Sequence, residues 1–177
     1  VILQHASRMA SIVNDEVFLL IREEIDDNWH EPLTGDVSII KHKDWQDNRY
    51  DIAIATYWET VLVLGEVKAE SNVWFCQLYE DRFFPDRNPS VSTMQIAGAI
   101  PLPVVTEAHW LQDLIVSENP DRSEEVVLNG VDKEIFSEEK YAHSPEHGFT
   151  VLIEGSLDAV AKNTAYAIEG SLCSAKA

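Results

Sequence analysis

The feature that most constrains this chain is an alternation of strand-length apolar runs with stretches of helical spacing. Glu16–Arg22 (EVFLLIR), Tyr50–Thr56 (YDIAIAT), Asn72–Gln77 (NVWFCQ), Pro103–Glu107 (PVVTE) and Val126–Leu128 (VVL) are short, apolar and rich in β-branched or aromatic residues, as buried strands are. A further short strand is expected over Val37–Lys41. Val1–Asn14 places Ile2, Leu3, Ala6, Met9, Ala10 and Val13 at the three- and four-residue spacing of an amphipathic helix. Tyr57–Val67, Ser92–Ile100 and His109–Glu118 also read as helices, and Ile25–Gly35, Lys43–Arg49 and Leu78–Ser90 as loops. Strand and helix alternating in this way give parallel βαβ units, hence an α/β, Rossmann-like three-layer sandwich with a mainly parallel sheet. Ligands of such sheets sit at the carboxyl ends of strands, where strand order reverses. Those ends here are Thr56–Glu59, Gln77–Phe84, Glu107–Trp110 and Asn129–Asp132.

Asn129-Gly130 is expected to break the last strand in a sharp turn, because both residues tolerate positive φ. Asp132 can cap the short segment after it, and Ile135-Phe136 pack the chain back onto the domain. Ser137–Gly148 is polar and reads as a linker. Thr150–Gly155 (TVLIEG) then starts a new strand and Asn163–Ser171 a new helix, the first βα unit of a second Rossmann-like domain. The expected division is residues 1–136, a linker at 137–149, and 150–177. The chain opens at Val1 inside a helical pattern, so it reads as a fragment truncated at both ends.

Charge excludes some functions. With 31 acidic against 13 basic residues, the net charge is −18, which argues against nucleic acid and against electrostatic docking on anionic lipid. Two cysteines, Cys76 and Cys173, make no disulfide framework and fit a reducing, cytoplasmic setting. Cys76 lies inside an apolar strand and is expected to be inert. The longest apolar stretch, Ile96–Val105, is broken by Pro101 and Pro103 and is too short to span a bilayer. His143 and His147 lack a third ligand, so no metal site is expected. No dinucleotide fingerprint, phosphate loop or nucleophile elbow is present.

The run VVLNGVDKEIF at Val126–Phe136 resembles the N-G-V-D-x-x-x-F signature that closes the first domain of group 1 (family 4) glycosyltransferases, retaining enzymes with the two facing Rossmann-like domains of the GT-B type. YDIAIATYWET at Tyr50–Thr60 and WFCQLYE at Trp74–Glu80 resemble segments of a rhamnosyltransferase-like branch. HWLQDL at His109–Leu114 resembles the helix after the strand that precedes the linker. VLIEGSLDAVAK at Val151–Lys162 resembles the first strand and loop of the sugar-nucleotide domain. The similarity covers nearly the whole chain, as scattered short motifs. Leu78 stands where an Asp is usual, and Ser156 where many relatives carry Arg; the terminal Lys of that loop is kept as Lys162.

The resemblance implies an acceptor-side domain followed by the start of a donor domain. The reaction implied is transfer of a sugar from a nucleoside diphosphate sugar, used as co-substrate with no cofactor and no metal, to a glycan or glycolipid acceptor. Membrane contact would be peripheral at most, and the fragment alone inactive. Breaking the anomeric C–O bond leaves negative charge on a diphosphate, which needs cations or helix N-termini nearby. Gly155 and Lys162 are the expected diphosphate-binding residues. Gln77, Tyr79 and Asp81 follow a buried strand, where polar groups are costly unless used or solvated, and with Tyr57 and Glu59 are expected to bind the acceptor. Glu80 and His109 are the expected catalytic pair, Glu80 to orient or deprotonate an acceptor hydroxyl and His109 as a titrating group at a strand-to-helix junction. Trp58 is expected to pack rather than bind. Asn129, Gly130 and Asp132 are placed at the interdomain cleft, through backbone shape and capping. The alternative is a non-catalytic α/β binding or interaction module; a flavodoxin-like or receiver domain fits less well, for want of an acidic cluster closing an early strand.

Overall fold

The structure is a computed structural model that describes residues 2–13, 15–21, 33–79, 95–134, 136, 151–155, 157 and 162–174. It is a mixed α/β, Rossmann-like fold with parallel sheets. The chain divides into two compact units, Val1–Asn129 and Gly130–Ala177.

In the first unit, helix α1 (Ile2–Arg8) runs on into a π-helical turn, Met9–Val13. Strands β1 (Val17–Ile21) and β2 (Val37–Lys41) pair in parallel, Val17 opposite Val37. Gly35 enters β2 with φ of 81°, and a β-carbon there would lie 2.7 Å from that of Ala10. Only glycine serves both the left-handed backbone and the close approach to the first helix. The expected polar loop at Lys43–Arg49 is instead a 3-10 helix, His42–Asp47, because Trp45 anchors it. The Trp45 indole is buried and its Nε1–H donates to the Ile40 carbonyl at 3.2 Å. An indole that finds a partner for its one polar atom stabilises more buried than solvated.

Strands β3 (Tyr50–Ala55), β4 (Ala69–Cys76), β5 (Val104–Thr106) and β6 (Glu124–Val126) form one parallel sheet in the order β3-β4-β5-β6. Helix α2 (Trp58–Val63) with a 3-10 turn, Leu64–Glu66, links β3 to β4. A helix α3 at 95–99 precedes β5, and α4 (His109–Glu118) links β5 to β6. Strand order is sequential throughout this sheet, so the expected reversal does not fall within it. The β1–β2 ladder stands apart, and Phe18 of β1 meets Tyr50 of β3 edge-on with ring centroids 5.5 Å apart.

One face of the sheet and its helices make the core: Ala53, Ala55, Trp74, Cys76, Val104 and Thr106 pack with Trp58, Val61, Leu111 and Ile115. Trp58 is buried, as expected of packing. Helix α2 begins cleanly because Thr60, its third residue, accepts the N–H groups of Thr56 and Tyr57, each at 3.0 Å, and donates to the Tyr57 carbonyl at 2.6 Å. These contacts satisfy donors that a helix start leaves without partners. Helix α4 ends at Asn119, with Pro120 unable to continue it.

The buried strand end expected at Val126–Leu128 falls earlier in the chain. The strand covers Glu124–Val126, and Val127 and Leu128 are exposed, although the Val127 N–H still donates to the Thr106 carbonyl at 2.8 Å. At the sheet edge there is no further strand among the described residues to bury them.

In the second unit the only regular element among the described residues longer than one turn is α5 (Thr164–Ser174). The strand expected at Thr150–Gly155 is absent: residues 151–154 have no regular structure. A strand exists only through ladder partners, and the described residues supply none. Phe136 is exposed rather than packed on a domain. Ile135 and the linker at 137–149 lie outside the described residues.

Candidate functional site

The carboxyl edge of the β3–β6 sheet collects polar side chains from three strand ends. After β3, the Tyr57 ring leans on the buried Trp58, with centroids 5.5 Å apart, and both Tyr57 and Glu59 stay exposed. After β4, the half-buried Gln77 donates its Nε2–H to the Thr56 carbonyl at 3.1 Å, tying the ends of two neighbouring strands together. After β5, His109 is exposed as the first residue of α4. Glu80 and Asp81 lie outside the described residues.

Tyr79, expected at an acceptor, is placed in the core at 3% exposure. Its hydroxyl donates to the Glu118 carboxylate at the end of α4. A β-carbon on Gly98 would lie 3.3 Å from that hydroxyl, so the glycine makes room for it. A phenol gains by burying its ring once its hydroxyl has a partner, and Glu118 of α4 supplies that partner. Sequence reasoning also passed over Arg122, which lies beside this cluster. One guanidinium nitrogen donates to the carbonyls of Gly98 at 2.6 Å and Ile100 at 2.5 Å. Burial pushes this guanidinium below its ordinary value, while the nearby Tyr79, Cys76 and Glu118 work in the opposite direction. The pair of carbonyl contacts holds the end of α3 against the α4–β6 connection.

Asn129 does more through its side chain than through backbone shape. Neither Asn129 nor Gly130 has positive φ, so the expected sharp turn is not made, and a β-carbon on Gly130 would meet nothing within 4 Å. The Asn129 Nδ2–H donates to Glu107 Oε2 at 2.7 Å, and Asn129 Oδ1 lies 3.4 Å from His5 Nε2. Glu107 directly follows β5 and Asn129 closely follows β6, and β5 and β6 are adjacent with Thr106 opposite Val126. His5 comes from α1, and its ring stands edge-on to Phe75 of β4 with centroids 5.7 Å apart. No local sequence signal joins His5 to Asn129, which lie 124 residues apart.

In the second unit, Asp132 organises a turn. Its Oδ1 accepts the Glu134 N–H at 2.9 Å and its carbonyl accepts the Phe136 N–H at 2.8 Å. This is the local capping that the Asp side chain favours. Further on, Gly155 has φ of 150° and backs onto the first residue of α5: a β-carbon on Gly155 would collide with the Thr164 hydroxyl, and the Lys162 β-carbon would lie 3.7 Å away. The two expected diphosphate-binding residues are therefore brought together at the start of an 11-residue helix. Lys162 is exposed. Thr164 is buried, with a hydroxyl that has no hydrogen-bond partner among the described residues. The Ala167 N–H closes the first turn on the Asn163 carbonyl at 3.1 Å, which leaves the N–H groups of residues 164–166 without intrahelical acceptors. N–H groups without intrahelical acceptors, the positive end of the helix dipole and a lysine together favour an anion.

Among the described residues no group of three or more His, Cys, Asp or Glu side chains is placed to hold a metal ion, and no helix is long and apolar enough to cross a membrane. Cys76 is buried and Cys173 exposed, and neither forms a disulfide among the described residues. No protein-family model, no curated protein and no solved structure matches the chain.

Proposed function

We propose that the chain belongs to a retaining, GT-B-type glycosyltransferase that moves a sugar from a nucleoside diphosphate sugar to a glycan or glycolipid acceptor in the cytoplasm. The first unit takes the acceptor side, and Gly155 with Lys162 serves the donor diphosphate. The observation that carries this assignment is the start of α5, where Gly155, Lys162 and Thr164 converge. Departure of a nucleoside diphosphate requires positive potential at a fixed place. There, helix N–H groups supply it without a metal, and the lysine adds a mobile charge. Gly155 is required by the same geometry, since any side chain would close the space against Thr164. At the carboxyl edge of the sheet, the exposed Tyr57, Glu59, His109 and Asn129 supply polar groups for an acceptor.

The test is a titration of the chain with uridine, guanosine and thymidine diphosphates and their sugar conjugates, followed by calorimetry and by donor hydrolysis. Binding of one nucleotide, weakened about tenfold or more in Lys162→Ala through loss of a charge-assisted contact, is the expected result. Absence of binding by every nucleotide to a folded chain would overturn the assignment. It would favour a non-catalytic interaction module, a reading to which the exposed isoleucines of β3, Ile52 and Ile54, also lend themselves.

A further inference from the structure

Glu107, Asn129 and His5 make a chain whose first member fixes the last. An ionised carboxylate only accepts hydrogen bonds, so Asn129 must turn its Nδ2–H toward Glu107, as found at 2.7 Å. That choice turns Oδ1 toward His5 Nε2, 3.4 Å away. A carboxamide oxygen also only accepts, so His5 must carry its proton on Nε2. In the neutral ring Nδ1 is then a bare acceptor. The Phe75 ring, met edge-on at 79° between planes, holds the imidazole plane. His5 makes no other hydrogen bond among the described residues.

We infer that this chain builds a hydroxyl-binding subsite, in which His5 Nδ1 accepts a hydrogen bond from a sugar hydroxyl while Glu107 and Asn129 act as positioning residues. The three side chains come from α1 and from the segments after β5 and β6. They meet at the carboxyl edge of the sheet, which brings three polar side chains from separate elements to one place. That the ligand is a pyranoside rests on the transferase assignment above. A purely structural role, pinning α1 to the sheet, would need the contact but would be indifferent to what Nδ1 meets.

The experiment is long-range nitrogen NMR on the whole chain at about pH 8.5, two units above the ordinary value for an imidazole. The probes are the methyl glycosides of glucose, galactose, mannose and rhamnose, added without nucleotide. The expected result is a single His5 tautomer with hydrogen on Nε2, and a displacement of the Nδ1 resonance by at least one glycoside. Glu107→Gln lifts the acceptor-only constraint, lets the Asn129 amide reverse, and is expected to give mixed His5 tautomers, with glycoside binding weakened about twofold for an even mixture because only the form with hydrogen on Nε2 is competent. A wild-type His5 with hydrogen on Nδ1, or an Nδ1 resonance that no glycoside moves, would overturn the subsite; neither readout depends on any variant folding. Nucleotide binding with no glycoside response defeats the subsite and spares the transferase. A glycoside response with no nucleotide binding does the reverse.

Discussion

On β3 the alanines Ala53 and Ala55 are 7% and 2% exposed, while Ile52 and Ile54 are 59% and 47% exposed. The larger, more apolar side chains lie on the open face, and the small ones in the core. On the covered face the space is taken by indoles: Trp74 stands opposite Ala55 in the ladder and Trp58 heads α2. Only a methyl group fits beside them at interior packing density. On the open face Ile52 stands opposite Ser71 and Ile54 opposite Val73, and neither isoleucine is buried. Which face is core is decided by where α2 and α4 lie, and not by which residues of the strand are most hydrophobic.

Four substitutions test this contrast. Trp74→Ala on the covered face removes a fully buried indole and is expected to cost about 3–5 kcal/mol in denaturant unfolding. A cost below about 1 kcal/mol would show that the covered face is not the core. Arg122→Met keeps the volume but strips the donors from the Gly98 and Ile100 carbonyls. It is expected to cost about 1.5–3 kcal/mol, read as a lower denaturation midpoint with an unchanged slope. Thr106→Val, at a fully buried position whose hydroxyl donates to the Ala108 carbonyl at 3.3 Å, is expected to cost about 1 kcal/mol. Ile54→Thr on the open face is expected to stay within about 0.5 kcal/mol. Should it cost as much as Trp74→Ala, the isoleucines are covered in solution, and sedimentation at rising dilution would reveal the covering copy.

The alternation of runs made the α/β class legible, because a parallel sheet needs buried strands joined by crossover segments of helical length. Strands at Tyr50–Ala55 and Val104–Thr106 and the helix His109–Glu118 fall close to where the sequence places them. The 3-10 helix around Trp45 was not legible, since its cause is a core contact made by one side chain inside a polar stretch. Tyr79 misled for a related reason: polar groups after a buried strand suggest a site, but Glu118 on another helix satisfies this hydroxyl inside the core. Of the candidate residues, Gly155 and Lys162 were legible as a short motif and do converge. Thr164 completes that loop and carries no sequence signal of its own.

The local chemistry is written along the chain: periodicity selects strand or helix, a threonine at the third helical position satisfies the first donors, and a glycine marks a left-handed loop. Each of these acts over a few residues, within reach of one turn or one pleat. It took the assembled fold to make Ala55 rather than Ile54 core, to wall in Tyr79, and to bring His5 to Asn129. Those outcomes depend on which surfaces are brought together once chain entropy has been lost to long-range contacts, and no pattern along the chain encodes a partner 124 residues away.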